Sequence, residues 1–472
     1  MSHDITVTFL GTTSGGGPTQ TRNCSSLVAD LAGDGSLWMF DCAEGTVRQF
    51  ENQPYRPGYQ RVRVNQVSKI FITHMHADHT MGILTFLRNI LGIPKPVIDP
   101  DAPPANKSST KVEIFGPRGI RRMIRMLWNV THTRSSQAYI VHELLFPGEQ
   151  PSVPAEVRAG EGADETDVRN ASEKVGRDIH CDEAGYWPRI VNREIGGQRG
   201  CGLIVDAGPI QHRDPCIGYV IREVPREPLT AESPLPRKLV ILGDTYDPSP
   251  LAPLVHDEPP FASPLPERDP WGHDVPVKIP VSLLVHEATD AHIPAHVDPS
   301  GRTGKNRTPE SVREKAISRG HSTPGMAGAF ARTIAAERLV MNHIGARFPA
   351  PVGELTNMSN PQTKLRHGIV REMARQAAEG WCPDGSRPVH TEVAVDFHVV
   401  TIRPNRNAPT APVRGSATPC ELDINMSPPI HTTTNTSPLF SCLRLPSSRQ
   451  QHFRRTPQLA ERRVPKDACT RI

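Results

Sequence analysis

The sequence predicts an α/β fold in which short buried strands alternate with amphipathic helices. Runs of β-branched and aromatic residues end repeatedly in turn residues, as strands do. Several of these runs precede segments whose apolar residues recur every three or four positions, as in helices. The chain has 472 residues, of which 37% are hydrophobic and 22% charged, so it is long enough to bury a sizeable core. Its 48 prolines are about twice the usual share and indicate that part of the chain is loop or tail.

The first 130 residues are predicted to be rich in strands. The predicted strands cover residues 5–10, 25–31, 36–42 and 69–74. A helix is predicted to begin near His79, because Met81, Leu84, Leu87 and Ile90 recur at three-residue spacing, and another covers residues 118–128. Residues 151–200 are charged and Gly-rich without an apolar period, which predicts an inserted loop or arm.

The second half of the chain alternates again between strand and helix patterns. Predicted strands cover residues 202–206, 217–222, 238–243, 281–286, 338–344 and 391–401, and predicted helices cover 310–318, 324–337 and 365–379. Beyond residue 403 there are ten prolines, two aromatic residues and no apolar period. We therefore expect one domain over residues 1–402 and a disordered, basic, Pro-rich tail over residues 403–472.

Charge and cysteine content limit the partners and the compartment. Residues 402–472 carry a net charge of +7, which leaves −3 for residues 1–401, since the whole chain is +4. A nucleic-acid partner of the body must therefore meet a local basic patch. The nine cysteines contain no C-x-x-C pair, which favours a reducing compartment. No apolar run spans a bilayer and no secretory signal is present, so we expect a cytoplasmic or nuclear protein without a membrane partner.

The densest chemical signal is the segment Thr73-His-Met-His-Ala-Asp-His79, which follows an apolar strand. It offers four ligands, namely His74, His76, Asp78 and His79. Imidazole and carboxylate groups suit divalent zinc, and a turn at a strand end can direct alternate side chains toward two neighbouring ions. Two ions about 3.5 to 4 Å apart can act together on a phosphoryl group. The sequence therefore predicts a hydrolytic metal centre.

The H-x-H-x-D-H array resembles the signature of the metallo-β-lactamase superfamily. This resemblance implies an αβ/βα sandwich with a binuclear site at one edge of two sheets. Three later strand ends match the superfamily's remaining ligands, at His212, Asp244 and His343. The resemblance implies two Zn²⁺ per subunit. His74, His76 and His212 would hold one ion, Asp78, His79 and His343 the other, and Asp244 would bridge them. Asp78 could also accept a proton from the attacking water, and Asp41 is a candidate to orient the imidazoles.

Two further motifs resemble ribonuclease Z, the endonuclease that removes the 3′ trailer from precursor tRNA. Leu284-Val-His-Glu-Ala-Thr289 and Arg319-Gly-His-Ser-Thr323 are similar to its H-E-A-T and G-H-S-T segments. The resemblance covers about residues 5–350 and implies a short-form enzyme, precursor tRNA as partner, and a homodimer. It also implies that His321, oriented by Glu287, donates a proton to the leaving 3′-oxygen, giving tRNA with a 3′-hydroxyl.

The chain departs from the ribonuclease Z pattern at three places. Residues 18–23 are similar to a substrate loop of the family, which implies RNA contacts by Pro18, Arg22 and Asn23, but Gln20 replaces the usual Lys. The segment 151–200 occupies the place of a basic tRNA-gripping arm, yet it is acidic over residues 161–167. Residues 291–307 form an insertion between the two ribonuclease Z motifs, which we expect to be a surface loop.

Two other functions are open from the sequence. One is a hydrolase of a small phosphodiester or thioester on the same fold, which the H-E-A-T and G-H-S-T segments disfavour. The other is a non-catalytic RNA-binding protein, which would be expected to have lost metal ligands. Because all seven ligand positions are filled, the sequence favours a metal-dependent endoribonuclease.

Overall fold

The computed structural model describes two facing sheets covered by helices. The described residues are 3–55, 60–94, 110–156, 164, 166–194, 201–225, 235–257, 267–268, 274–275, 279–351 and 360–404. All of them belong to one compact unit. The predicted tail lies outside the described residues except for Arg403 and Pro404.

The first sheet is formed largely by the N-terminal half of the chain. Its strand order is β18-β1-β2-β3-β4-β5-β6-β7, with β8 also paired to β6. The strands are β1 (Ile5–Gly11), β2 (Ser26–Asp30), β3 (Leu37–Phe40), β4 (Val67–Phe71), β5 (Thr110–Pro117), β6 (Ala138–Leu145), β7 (Glu173–Lys174), β8 (Asp178–His180) and β18 (Val399–Ile402). β18 pairs antiparallel with β1, so the last strand described in the chain lies at the edge of the sheet next to the first strand.

The second sheet is formed by the C-terminal half. Its order is β17-β16-β15-β12-β11-β10-β9, and β13 (Glu267–Arg268) pairs separately with β14 (Asp274–Val275). The strands are β9 (Trp187–Glu194), β10 (Cys201–Ile210), β11 (Cys216–Pro225), β12 (Lys238–Leu242), β15 (Leu283–Glu287), β16 (Arg338–Asn342) and β17 (His390–Val393). β12, β15 and β16 run parallel to one another, so their carboxyl ends lie at the same edge.

Helices cover the outer faces of both sheets. They are α1 (Thr46–Glu51), α2 (Ala77–Thr80), α3 (Ile83–Ile90), α4 (Ile120–Val130), α5 (Ala252–His256), α6 (Pro309–Ser318), α7 (Pro324–Thr333) and α8 (Pro361–Trp381). The start of α6 is encoded locally: Thr308 and Ser311 cap each other reciprocally, and Pro309 has no amide hydrogen to leave unpaired.

Three apolar clusters define the layers of the molecule. One lies between the two sheets and contains Phe9, Trp38 and Tyr219. A second lies between the second sheet and its helices, including Trp381, and a third packs Trp128 and other helical residues on the first sheet. This four-layer order is the αβ/βα sandwich that the resemblance implied, so the fold prediction is confirmed.

The structure corrects the prediction for residues 151–200. Residues 173–174, 178–180 and 187–194 of this segment are strands of the two sheets and not a protruding arm. Trp187, Ile190 and Val191 belong to the central core. The strands escaped sequence analysis because β7 and β8 are two and three residues long and carry polar side chains. Residues 157–163, 165 and 195–200 lie outside the described residues.

Other predicted boundaries shift modestly. The single strand predicted over residues 391–401 is two strands, β17 and β18, which belong to different sheets. β5 and β6 were not predicted. None of the helices among the described residues combines the length and the apolar character needed to cross a bilayer.

Candidate metal centre

Strand ends from both sheets bring the predicted ligands to one edge of the sandwich. His74 follows β4, Asp244 follows β12, and His343 follows β16. His212 lies in the turn between β10 and β11, which pair residue by residue from Cys201 to Pro225. Ligand sites commonly form at the carboxyl ends of parallel strands, because several strands there can each present a side chain to one point.

A first group of ligand atoms consists of His74, His76, His212 and Asp244. One donor atom of each lies within 4.8 Å of all the others. His74 is fully buried, and its Nε2 atom has no hydrogen-bond partner among the described residues. The same holds for Nε2 of His212. Burial lowers the pKa of both imidazoles, which favours the neutral form that a metal ligand requires.

A second group lies beside the first and shares its carboxylate. Asp78, His79 and His343 place their donor atoms within 4.8 Å of one another. The distance between His79 Nε2 and His343 Nε2 is 3.2 Å, and Asp244 Oδ1 lies 3.5 Å from His79 Nε2. Asp244 Oδ2 lies 3.7 Å from His74 Nε2. One carboxylate therefore faces both groups of imidazoles, as a bridging ligand must.

Neighbouring groups fix the orientation of the imidazoles. Asp41 accepts a hydrogen bond from His79 Nδ1 at 2.7 Å, as its candidate role requires. The Gly320 carbonyl accepts one from His212 Nδ1 at 2.6 Å. Gly320 has a φ of +83°, and a Cβ atom there would lie 2.5 Å from His212 Nδ1, so only glycine allows this approach. Such partners select the ring tautomer that leaves the other nitrogen free for an ion.

Sequence analysis missed Asp214, which lies two residues after His212. Its carboxylate lies 2.7 Å from His76 Nε2, which leaves Nδ1 as the His76 nitrogen available to an ion. Asp214 is more than half exposed. Thr289 ends the H-E-A-T segment, but its contact with the metal centre was not predicted: its hydroxyl lies 2.9 Å from His343 Nδ1. No local pattern identifies either contact, because the partner histidines are far away in the sequence.

Glu287 and His321 form a pair at the rim of this centre. His321 Nδ1 lies 3.1 Å from Glu287 Oε1 and 3.7 Å from Asp244 Oδ2. Glu287 is 2% exposed, and it also accepts hydrogen bonds from Thr245 and Thr289. Burial lowers the pKa of His321, but the hydrogen bond and charge of Glu287 raise it more, so the net shift is upward. Glu287 therefore stabilises the imidazolium form of His321 relative to that of a free histidine.

The three residues predicted to contact RNA in the loop 18–23 differ in their exposure to solvent. Pro18 is exposed. Arg22 is 2% exposed and donates hydrogen bonds to Thr12 Oγ1 and to the carbonyls of Phe348 and Ala394. Asn23 is also buried and donates from its side chain to the Glu44 carbonyl. Arg22 and Asn23 thus direct these donors to the protein interior and hold the loop in place, and contact of this loop with RNA stays a prediction.

The insertion is a packed loop without helix or strand. Ala291, Ile293, Asp298 and Thr303 are buried within it. Its His292 carbonyl accepts a hydrogen bond from Gln376 of α8. The prediction of a surface loop between the two motifs is confirmed, and its four buried residues anchor it to the domain.

Comparison with known proteins agrees with this architecture. The family model described as metallo-beta-lactamase superfamily matches residues 20–124. Zinc phosphodiesterase ELAC protein 1 of Mus musculus is 31% identical over 369 residues, covering 74% of this chain and 88% of the mouse protein. Ribonuclease Z of Streptococcus sanguinis is 28% identical and covers 72% of this chain and 90% of its own length.

The chain belongs to the ribonuclease Z family. Among solved structures, the short form of human tRNase Z is 25% identical over 84% of this chain and 99% of its own, with a TM-score of 0.48. Members of this family are metal-dependent hydrolases of the metallo-β-lactamase superfamily. The ribonuclease Z assignment made from the H-E-A-T and G-H-S-T segments is thus confirmed.

Proposed function

We propose that this protein is a zinc-dependent endoribonuclease that removes the 3′ trailer from precursor tRNA and leaves a 3′-hydroxyl on the tRNA. The observation that carries the proposal is the convergence of the ligand groups with the Glu287–His321 pair at one edge of the sandwich. The first group alone fits a hydrolase of any small ester. The Glu287–His321 pair adds a proton donor, which suits a substrate whose leaving group is a ribose oxygen, because that oxygen needs a proton to depart.

The donor set fits two zinc ions. His74, His76 and His212 would hold one ion, Asp78, His79 and His343 the other, and Asp244 would bridge them. The buried, unpartnered Nε2 atoms of His74 and His212 support the first site, since buried polar atoms are rarely left without a partner. The chemistry that such ions supply when bound is the acidification of water and the neutralisation of phosphoryl charge.

Asp78 has the position expected of a proton acceptor at the attacking side. Its Oδ2 accepts a hydrogen bond from the Gly15 amide at 2.8 Å and lies 3.3 Å from His343 Nε2. Burial raises the pKa of Asp78, but the hydrogen bond and charge of His343 and the charge of His79 lower it more, so the net shift is downward. The carboxylate is thus ionised and held in one orientation.

His321 has the position expected of the proton donor. Because its Nδ1 is engaged by Glu287, its Nε2 is the nitrogen that can face a substrate. Transfer of that proton to the ribose 3′-oxygen yields the 3′-hydroxyl of the tRNA, and the phosphate stays with the trailer. Glu287 positions the ring and stabilises its positive charge.

We also propose that the protein acts as a homodimer, as the resemblance to short-form members implies. The exposed apolar side chains of Ile93, Met126 and Val130 support an interface on the α3 and α4 side. Light scattering on the purified protein tests this: a single species at about twice the 51.9 kDa chain mass is expected.

Cleavage of a 3′-extended precursor tRNA tests the proposed function. The intact protein is expected to cut next to the discriminator base. Asp78→Ala should abolish cleavage, and His321→Ala should slow it by about 10² to 10⁴-fold. His296→Ala, which changes an exposed histidine of the insertion, is the matched control and should cleave normally.

A modified scissile bond separates the two roles. Sulfur in place of the bridging 3′-oxygen leaves as a thiolate and needs no protonation, because thiols are far more acidic than hydroxyls. The His321→Ala defect should shrink on this substrate, whereas the Asp78→Ala defect should persist. If precursor tRNA stays intact while a cyclic nucleotide or thioester is hydrolysed, the protein is a small-ester hydrolase. If it binds tRNA and hydrolyses nothing, it is a non-catalytic RNA-binding protein.

A further inference from the structure

A cavity of about 200 Å³ adjoins the outer side of His321. It lies between the last turn of α6, the loop after His343 and the two residues that precede the insertion. Its lining residues include Thr289, Asp290, Lys315, Arg319, His321 and Arg347. The cavity is smaller than the roughly 300–1,000 Å³ typical of pockets for drug-sized molecules, so it can hold a phosphate group but not an extended chain.

Three basic side chains, Lys315, Arg319 and Arg347, are among the residues that line the cavity. Lys315 and Arg319 are one helical turn apart, a spacing at which like charges repel. No carboxylate of the described residues lies within ion-pair distance of either side chain. The negative end of the α6 dipole favours cations at this position, but it does not account for Arg347, which comes from a different segment. Three cations at one small cavity are suited to contact an anionic group such as a phosphate.

Asp290 explains how the insertion contributes to this site. The Asp290 residue is 8% exposed and lies directly after the H-E-A-T segment. Its carboxylate forms an ion pair with Arg307 of the insertion at 2.6 Å, and Arg347 Nε lies 3.8 Å from its other oxygen. Arg347 also donates to the Thr303 carbonyl of the insertion at 3.3 Å. Arg307 neutralises Asp290, while the insertion holds Arg347 at the cavity wall.

The position of His321 decides which part of an RNA the cavity faces. In the proposed reaction, which this inference rests on, His321 gives its proton to the ribose 3′-oxygen of the last tRNA nucleotide. A cavity in contact with His321 therefore adjoins that nucleotide and not the trailer. We infer that Lys315, Arg319 and Arg347 bind the phosphate on the 5′ side of the discriminator nucleotide, and that Asp290 together with the insertion positions Arg347 for this contact.

A double-mutant cycle between protein and RNA tests the inference. The substrates are the precursor tRNA, the same RNA with a neutral methylphosphonate 5′ of the discriminator nucleotide, and one with the methylphosphonate 3′ of the first trailer nucleotide. Arg319→Ala and Arg347→Ala should each lower kcat/KM on the unmodified RNA about tenfold. On the RNA that is neutral on the tRNA side, each variant should match the intact protein, because the contact is already absent.

Matched variants control for folding and for general charge. Arg313→Ala removes an exposed cation of α6 that does not line the cavity, and should behave as the intact protein on all three substrates. Arg347→Lys keeps the charge and should recover part of the loss. Asp290→Asn should reproduce the Arg347→Ala pattern, including lost sensitivity to the methylphosphonate, and Asp290→Glu should restore sensitivity.

The outcomes separate this inference from the proposed function. If the intact protein does not cleave the unmodified precursor, the proposed function fails and the inference falls with it. If it cleaves, and Arg319→Ala loses sensitivity only to the trailer-side methylphosphonate, the cavity holds the trailer and the inference is wrong. It is also wrong if Arg319→Ala and Arg347→Ala match Arg313→Ala on every substrate.

Discussion

The substitution Asp41→Asn probes how a buried carboxylate sets the chemistry of His79. Asp41 is 5% exposed and accepts hydrogen bonds from the Thr73 amide at 2.8 Å, from the Thr73 hydroxyl and from His79 Nδ1. Its φ of 56° is left-handed, a region that Asn tolerates as well as Asp does. The change therefore alters hydrogen bonding without adding backbone strain.

The expected effect follows from counting donors and acceptors. Asparagine offers one acceptor oxygen and one NH₂ group, whereas the carboxylate offers two acceptors. If the oxygen keeps the Thr73 amide, the NH₂ faces His79 Nδ1, which must then accept. The His79 proton moves to Nε2, the nitrogen that points at His343 and Asp244. A protonated Nε2 cannot bind an ion, so we expect zinc affinity to fall about 10 to 100-fold.

Competition with a chromophoric chelator measures this affinity. Asp34→Asn is the matched control: it also removes one carboxylate, but Asp34 lies in the turn before β3 and pairs with Arg193. Its zinc affinity should equal that of the unsubstituted protein. Equal zinc affinities for Asp41→Asn and Asp34→Asn would refute the tautomer argument, provided that both variants fold.

Three further predictions concern other parts of the structure. Asp214→Asn should weaken zinc binding less than Asp41→Asn does, because Asp214 is more than half exposed and water can replace it beside His76; the same chelator competition measures this. Gly328→Ala should destabilise the fold by about 1–3 kcal/mol in urea unfolding, since a Cβ atom there would lie 1.9 Å from the Ala377 carbonyl oxygen of α8. Gly325→Ala is the control: the atom nearest to its added Cβ would be 3.8 Å away, so this change should be neutral or slightly stabilising. Burial raises the pKa of Glu392, but its hydrogen bonds with His390 and His398 and the charges of His398 and Arg338 lower it more, so its net pKa shift is downward. The stability that Glu392 contributes is thus present above its unfolded pKa of about 4.5 and lost as the pH falls toward the lower folded value. Glu392→Gln should therefore cost stability at pH 7, and urea unfolding should show that this cost shrinks below about pH 4.5. A constant difference in unfolding free energy down to pH 2 would contradict this assignment.

Local sequence was sufficient for the residues that sit at strand ends. The segment from Thr73 to His79 carries four ligands within six positions, and Asp244 and His343 each follow a short strand whose central residues are apolar. Such patterns survive without tertiary information, because strand periodicity and turn chemistry act over a few residues. The motifs around Glu287 and His321 are equally local, and the structure places the two side chains in contact.

Arg22 and Asp214 show where local sequence fails. An arginine in a Pro- and Thr-rich loop reads as an exposed cation, yet the loop after His343 and the segment before β18 enclose it. From the sequence, Asp214 is an ordinary loop carboxylate. In the structure it contacts His76, which follows β4 and is 138 positions away in the sequence. The same reason explains β7 and β8, whose pairing depends on β6 and not on their own composition.

The sequence by itself determined the class of fold, the identity of the candidate ligands and the family, because each of these depends on residue type and short-range spacing. Only the tertiary structure decided which side chains face one another, which cations remain open to an anion beside His321, and which polar groups are enclosed. Those properties depend on contacts between segments hundreds of residues apart, and burial and electrostatic pairing act through space and not along the chain.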